Sequence, residues 1–199
     1  MNIVVSNVKG GVGKTTTSVY LAALAAAPGR RTVTLVDADP QASAADWIES
    51  AEDELLSQVG LAEAPTDRLL AKALDRAGDD EVVVVDTPPG NDRMLTKAID
   101  RADAIVVPTR VGGVETQRAE AVLELVPRNV PAGLVICSAR TYTRDYQDAV
   151  AGWHEAGVPV WGSVAERVAI ASGPDSWLAE DGLDAYRRVW RKAAAAVRS

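Results

Sequence analysis

Cysteine occurs once in this 199-residue chain, at Cys137. A lone cysteine excludes an internal disulfide and fits a reducing compartment. It also argues against a metal cluster held between subunits by paired cysteines. Histidine is equally scarce. His154 stands beside Trp153 in a segment of helical periodicity, where a surface side chain is expected rather than a catalyst. Phenylalanine is absent, while tryptophan occurs five times. Trp47, Trp153, Trp161 and Trp177 are read as packing residues rather than base-stacking platforms. No apolar run approaches the ~20 residues that span a bilayer. The N-terminus enters a strand at once, so no signal peptide is expected and a cytoplasmic location is. Positive charge is short as well. The chain has 21 Lys and Arg against 28 Asp and Glu, and a net charge of −7 argues against a globally basic nucleic-acid binder.

What is present suits a globular protein. Hydrophobic residues make up 47% and charged residues 25%, and the length suffices for one α/β domain with a sizeable core. Short β-branched runs lie at 2–6, 32–37, 81–86, 104–108, 133–137 and 158–161. They alternate with helix candidates at 14–27, 41–57, 66–77, 92–101, 114–126, 145–156 and 184–198. Most of the strand runs are continuously apolar, as in a parallel sheet covered on both faces. Pro28-Gly29 ends the first helix, and Gly78-Asp79-Asp80 separates a helix from a strand. The alternation predicts a three-layer, doubly wound α/β domain with a mostly parallel sheet. Residues 51–66 carry no clear period and read as an irregular loop. With no repeat and no linker, 1–199 is expected to be a single domain.

Lysine is rare, five residues against sixteen arginines, yet two lysines share the loop VKGGVGKTT, Val8 to Thr16. Gly13-Lys14-Thr15 matches the end of a phosphate-binding loop. Gly10 and Gly11 supply backbone freedom, so that bare N–H groups from Gly10 through Val12 and Gly13 to Thr15 can surround a polyphosphate. Lys14 would reach the β- and γ-phosphates, Thr15 would bind Mg²⁺ directly, and Thr16 would reach the α-phosphate. An apolar run, Ile3-Val4-Val5, precedes the loop and an Ala- and Leu-rich helix follows it. That context makes an anion site at a helix N-terminus. Lys9 sits where the plain pattern has no cation, and the first glycine of that pattern is Val8. Two ammonium groups on one tight loop repel unless an anion separates them or one serves a second molecule.

Two further boxes follow strands. Thr32 to Asp37 runs into Asp37-Ala38-Asp39-Pro40-Gln41, with acids at the carboxyl end of a buried strand, the usual ligand crevice. A polar turn capping the next helix is the plainer alternative. Glu81 to Asp86 leads into Thr87-Pro88-Pro89-Gly90. Asp86 would hold Mg²⁺ through water, and its buried charge would be compensated by that ion.

KGGVGKTT resembles the deviant Walker A box of the ParA/MinD family of P-loop ATPases. DADPQ resembles that family's DxDPQ box, and DTPPG its switch II. AIVVPT at 104–109 and Glu166-Arg167-Val168-Ala169 resemble later stretches of the family. The resemblance implies an ATPase that dimerises with ATP, with Mg²⁺ as cofactor. It implies that Lys9 contacts the partner's nucleotide, that Asp39 polarises the attacking water and helps hold Mg²⁺, and that Asp37 supports the loop. Ser138 and Arg140 fall where relatives contact adenine. The chain starts at the strand before the loop, so the resemblance is to a small member without an N-terminal helix-turn-helix. The implied role is plasmid or chromosome partition, with a centromere-binding adaptor that stimulates hydrolysis and association with the nucleoid in the ATP state.

The C-terminal segment holds Arg187, Arg188, Arg191, Lys192 and Arg198 and, from Ala185 on, no acidic side chain. Its cations read either as a solvated helix face or as a patch for nonspecific DNA. A membrane anchor is disfavoured, because the apolar stripe is mostly Ala and Val. A MinD-like membrane-cycling ATPase and a metabolic enzyme of the same fold are the alternatives. Lys9 argues against a dethiobiotin synthetase type, and the absence of a glutaminase-like extension against a cobyrinate amidase type.

Overall fold

The computed structural model describes residues 1–27, 32–78, 80–90, 92–167, 170 and 178–198. Its centre is a seven-stranded sheet in the order β3-β2-β4-β1-β5-β6-β7. The strands are β1 (Asn2–Val5), β2 (Val33–Asp37), β3 (Val59–Glu63), β4 (Val82–Asp86), β5 (Ala104–Thr109), β6 (Ala132–Ala139) and β7 (Val160–Ala165). Every pairing is parallel, so the sheet is all-parallel where a mostly parallel one was expected. The helices among the described residues are α1 (Lys14–Ala26), α2 (Ser43–Ser50), α3 (Asp67–Asp75), α4 (Asp92–Ile99), α5 (Gly113–Leu123), α6 (Arg144–Glu155) and α7 (Glu180–Ala196).

The continuous apolar runs follow from two covered faces. Successive strand residues point to opposite sides. Ile3 and Val5 of β1, with Val82 and Val84 of β4, pack into a core under α1, α2 and α7. Val4, Val83 and Val85 pack into a second core with Leu70, Leu95, Val122 and Trp153 of α3 to α6. Along the central strands neither face meets water, so neither needs polar residues there.

The segment 51–66 is not all loop. It holds a one-turn 3-10 helix, Leu56–Gln58, and the edge strand β3. Among the described residues β3 pairs with β2 alone, and Val59 is the one buried residue of its five, so it lacks the apolar run of its neighbours. α2 ends at Ser50, seven residues before the expected 57, because Ala51 is extended and Asp53 caps the next turn through the N–H of Leu55 at 2.9 Å. β7 begins two residues later than expected and runs to Ala165, through Gly162 and Ser163, which carry no apolar signal. Trp47, Trp153 and Trp161 are buried as expected, and His154 is exposed. Trp177 lies outside the described residues, as do Val168 and Ala169.

Candidate functional site

The loop after β1 is fixed before it turns. Asn7 is fully buried and donates its side-chain N–H to Pro108 O of β5 at 2.8 Å, while its Oδ1 accepts from Lys9 N at 2.9 Å. Gly13 then caps α1 with φ of 97°, and a Cβ there would stand 3.1 Å from Cys137 Sγ. Both facts restrict this position to glycine. Gly11 also has a left-handed φ, 72°. A Cβ at Gly10 or Gly11 would meet nothing within 4 Å, so both open onto free space. The loop and the N-terminus of α1 therefore border open space, where the helix dipole favours an anion.

Lys14 is buried, and its ammonium donates to Lys9 O at 2.9 Å. Burial lowers its pKa, and the carboxylates of Asp86 and Asp39 oppose that. Thr15 Oγ1 donates to Asp86 Oδ2 at 2.8 Å, and Ser18 Oγ donates to Asp86 Oδ1 at 3.0 Å. Asp86 sits at the end of β4 with 1% of its surface exposed. Desolvation pushes its pKa up to about 7; hydroxyl hydrogen bonds from Thr15 and Ser18 pull against it, and the nearby charge of Asp37 adds to it.

Asp37 and Asp39 divide the roles that the DADPQ box left open. The Asp37 carboxylate accepts from Asp39 N at 3.0 Å and from Ala44 N and Ala45 N, both at 2.9 Å. It is a buried cap for α2, with a pKa raised by desolvation against those three N–H bonds. Asp39 is half-buried, and among the described residues its carboxylate accepts from Gln41 N at 2.9 Å. It lines a cavity of about 460 Å³ together with Lys14, Thr15 and Pro89. The cavity runs from the loop across the carboxyl ends of β5, β6 and β7.

Gly10, Gly11, Gly13, Lys14, Thr15, Thr16, Asp39 and Ser138 thus line one cavity, and Asp86 touches it through Thr15. Val12 is buried behind the loop. Ser138 has φ of 49° at an irregularity in β6, a conformation that turns this strand end into the cavity. Arg140 is exposed and does not line it. Its guanidinium grips Glu166 Oε2 at 2.9 and 3.0 Å, and Glu166 does line it. Lys9 is not a lining residue either. Its ammonium is held in an ion pair with Glu115 at the start of α5.

Sequence reasoning missed Arg110, Arg167 and Tyr186, which also line the cavity. Arg110 follows β5 directly, and the strand-end rule that found Asp39 and Asp86 reaches it too. Tyr186 comes from α7, far along the chain, and no local pattern marks it. Its hydroxyl lies 3.1 Å from Thr17 Oγ1 of α1, and its ring stacks on Tyr20 at 4.9 Å. Among the described residues no cluster of three or more His, Cys, Asp or Glu could hold a metal by itself.

Residues 3–176 match the family model described as "CobQ/CobB/MinD/ParA nucleotide binding domain". The "Maintenance of carboxysome distribution protein A" of Gloeobacter kilaueensis is 47% identical over 108 residues, which cover 54% of this chain and 48% of that protein. The match therefore spans about half the length of that relative. The "Chromosome-partitioning ATPase Soj" of Thermus thermophilus is 28% identical over 242 aligned positions, covering 98% of this chain and 96% of that one. A plasmid partition protein from Borrelia burgdorferi, solved bound to AMPPNP, superposes with a TM-score of 0.75 at 19% identity, over 96% of each chain. At that identity the likeness is one of fold.

Proposed function

The chain belongs to the CobQ/CobB/MinD/ParA nucleotide-binding family, and on that premise we propose that it is a Mg²⁺-dependent ATPase whose ATP state is a dimer that positions cargo. One observation carries this reading. Thr15, Asp86, Lys14 and Asp39, from three different parts of the chain, converge on one loop-lined cavity. A hydroxyl, two carboxylates and an ammonium around bare N–H groups suit a metal-bound triphosphate and little else.

The donor set fits Mg²⁺. Thr15 and Asp86 offer hard oxygens, and the buried Asp86 carboxyl has a raised pKa that a cation would relieve. Mg²⁺ bound beside a nucleotide takes phosphate and water oxygens as well as protein ones. When bound, Mg²⁺ would neutralise charge on the phosphates. Thr15 would hold it directly, and Asp86 and Asp39 through water. Backbone N–H groups of Gly10 to Thr15 hold the phosphates, with Thr16 at the α-phosphate. Lys14 leaves Lys9 O and turns to the β- and γ-oxygens. Asp39 orients the attacking water and accepts its proton, while Asp37 keeps the box in shape through its three N–H bonds. Lys9 reaches the partner's nucleotide. Ser138 is proposed to contact the base, with Arg140 acting from outside through Glu166.

The cargo is a replicon or another large body. A relative in Thermus thermophilus is named for chromosome partition and one in Gloeobacter kilaueensis for carboxysome distribution, and both names describe distribution rather than metabolism. A cargo-bound adaptor that stimulates hydrolysis, a centromere-binding protein for a replicon, completes the cycle. Nonspecific DNA, read by α7, is the proposed surface. Among the described residues no helix is long and apolar enough to cross a membrane.

The test pairs two variants. Lys14→Ala should weaken Mg·ATP binding at least tenfold by calorimetry with the fold intact by circular dichroism. Asp39→Ala should still bind ATP, lose about 100-fold or more in turnover, and accumulate as an ATP-bound dimer in sedimentation. Unchanged ATP binding by the first variant overturns the nucleotide site, and normal turnover by the second moves the role to Asp37.

A further inference from the structure

Lys9 is held at three atoms, all by its own chain. Its N–H goes to Asn7 at 2.9 Å, its carbonyl takes the Lys14 ammonium at 2.9 Å, and its own ammonium is paired with Glu115. The first two contacts fix the backbone. The third alone decides where the ammonium points, and it points to α5 rather than into the cavity that Gly10 and Gly11 line. The Glu115 carboxylate reaches Lys9 because Gly112 has no side chain. A Cβ on Gly112 would collide with Glu115 Oε2, and Gly112 takes φ of 154°, which few other residues adopt. Thr116 closes the first turn of α5 onto Gly112 O through its N–H at 2.9 Å and its hydroxyl at 3.0 Å, and Thr109 Oγ1 reaches Glu115 O at 3.3 Å. The pair is partly open to solvent, with 38% of the Lys9 side chain and 19% of the Glu115 side chain exposed.

We infer that Glu115 is a positioning residue that keeps Lys9 in cis and must release it before two copies can close around two nucleotides. The inference rests on the proposal that Lys9 serves the partner's nucleotide. A single carboxylate holds an ammonium against water, yet loses it to the several charges of a triphosphate. The ion pair therefore sets a threshold on dimerisation. Hydrogen bonding to Lys9 also holds the Glu115 carboxyl below its ordinary pKa, so the contact persists across neutral pH.

A partly exposed ion pair shifts an equilibrium roughly two- to fivefold. A dimer that opens two of them shifts by the square, about four- to 25-fold. Sedimentation of the full chain with AMPPNP and Mg²⁺ measures this directly. Glu115→Gln should tighten dimerisation by about that factor with an unchanged thermal melt, and Gly112→Ala, which evicts the carboxylate, should shift it the same way. In a Lys9→Ala background Glu115→Gln should have no effect, because Glu115 acts through that lysine. Two results overturn the inference: dimerisation unchanged by Glu115→Gln, or an equal gain in the Lys9→Ala background, which would mark a general charge effect. Failure of the underlying proposal reads differently, as Lys9→Ala alone dimerising like the parent.

Discussion

Asp86 is a carboxyl whose burial raises its pKa to about 7, while an unfolded chain would titrate it near 4. Between those values the folded state holds a proton that the unfolded state has lost. This group's contribution to stability is complete below about pH 4, declines as pH rises to about 7, and is flat above. Two outcomes are expected. Asp86→Asn should stabilise the nucleotide-free protein at pH 8 by at least about 1 kcal/mol, the worth of one pKa unit or slightly less, and by much less at pH 5, in urea titrations. Its amide oxygen can accept from one of the Thr15 and Ser18 hydroxyls, and its N–H can donate to the other. Mg·nucleotide binding should release most of one proton near pH 6.5 and none near pH 8.5. Calorimetry in two buffers of different ionisation enthalpy measures the release, and Asp86→Asn should abolish it.

At the scale of elements, α7 seats on α1 because a glycine makes room. A Cβ on Gly182 would lie 2.6 Å from the Tyr20 ring, and the Tyr20 hydroxyl accepts from Ala179 N at 2.9 Å just before the helix. Helix propensity alone predicts that Gly182→Ala stabilises. The packing predicts the opposite sign, a loss of about 1–3 kcal/mol, in urea denaturation. The same contrast between local pattern and tertiary contact explains what the sequence could tell. Strands buried on both faces, such as Val82–Asp86, are written as apolar runs and are legible one by one. β3 is not, because an edge strand with one partner keeps Gly60 and Glu63 exposed. In the site, the loop and the strand-end carboxylates are legible because spacing carries their chemistry. Glu115 and Tyr186 are not, since each reaches the loop region only through the fold, from helices more than a hundred residues away.

For the whole molecule, the balance of charge decides the surface question. Four cations lie on α7 and Arg198 follows it; Arg187 is bound to Asp184 at 2.5 Å and Lys192 donates to Val160 O at 3.0 Å. Arg188, Arg191 and Arg198 are exposed and, among the described residues, unpaired. Arg188 and Arg191, three residues apart, share one face of α7, and Arg198 lies just beyond its end. Three arginines on a chain of net charge −7 make a weak site, and a dimer doubles them. DNA binding is therefore expected only with ATP, without base preference, and with a logarithmic salt slope of up to about −5 for six phosphate contacts. Reversing Arg188 and Arg191 to Glu should abolish it with ATP affinity unchanged, and a gel-shift series from low to physiological salt checks this. No shift at low salt would leave these arginines as solvated helix charges. The strand order has a separate consequence, for synthesis rather than action. Ile3 of the central strand lies between Val84 and Ala104, so β1 waits for about a hundred residues before both partners exist. At ordinary translation speeds that is on the order of 5–20 s on the ribosome. Until Val84 is made, the nascent Ile3-Val4-Val5 strand has both edges open, and until Ala104 is made it has one. A segment that is wholly buried in the finished protein is thus exposed while it is being made, and the burden of keeping it unpaired falls on chaperones and on the pace of translation.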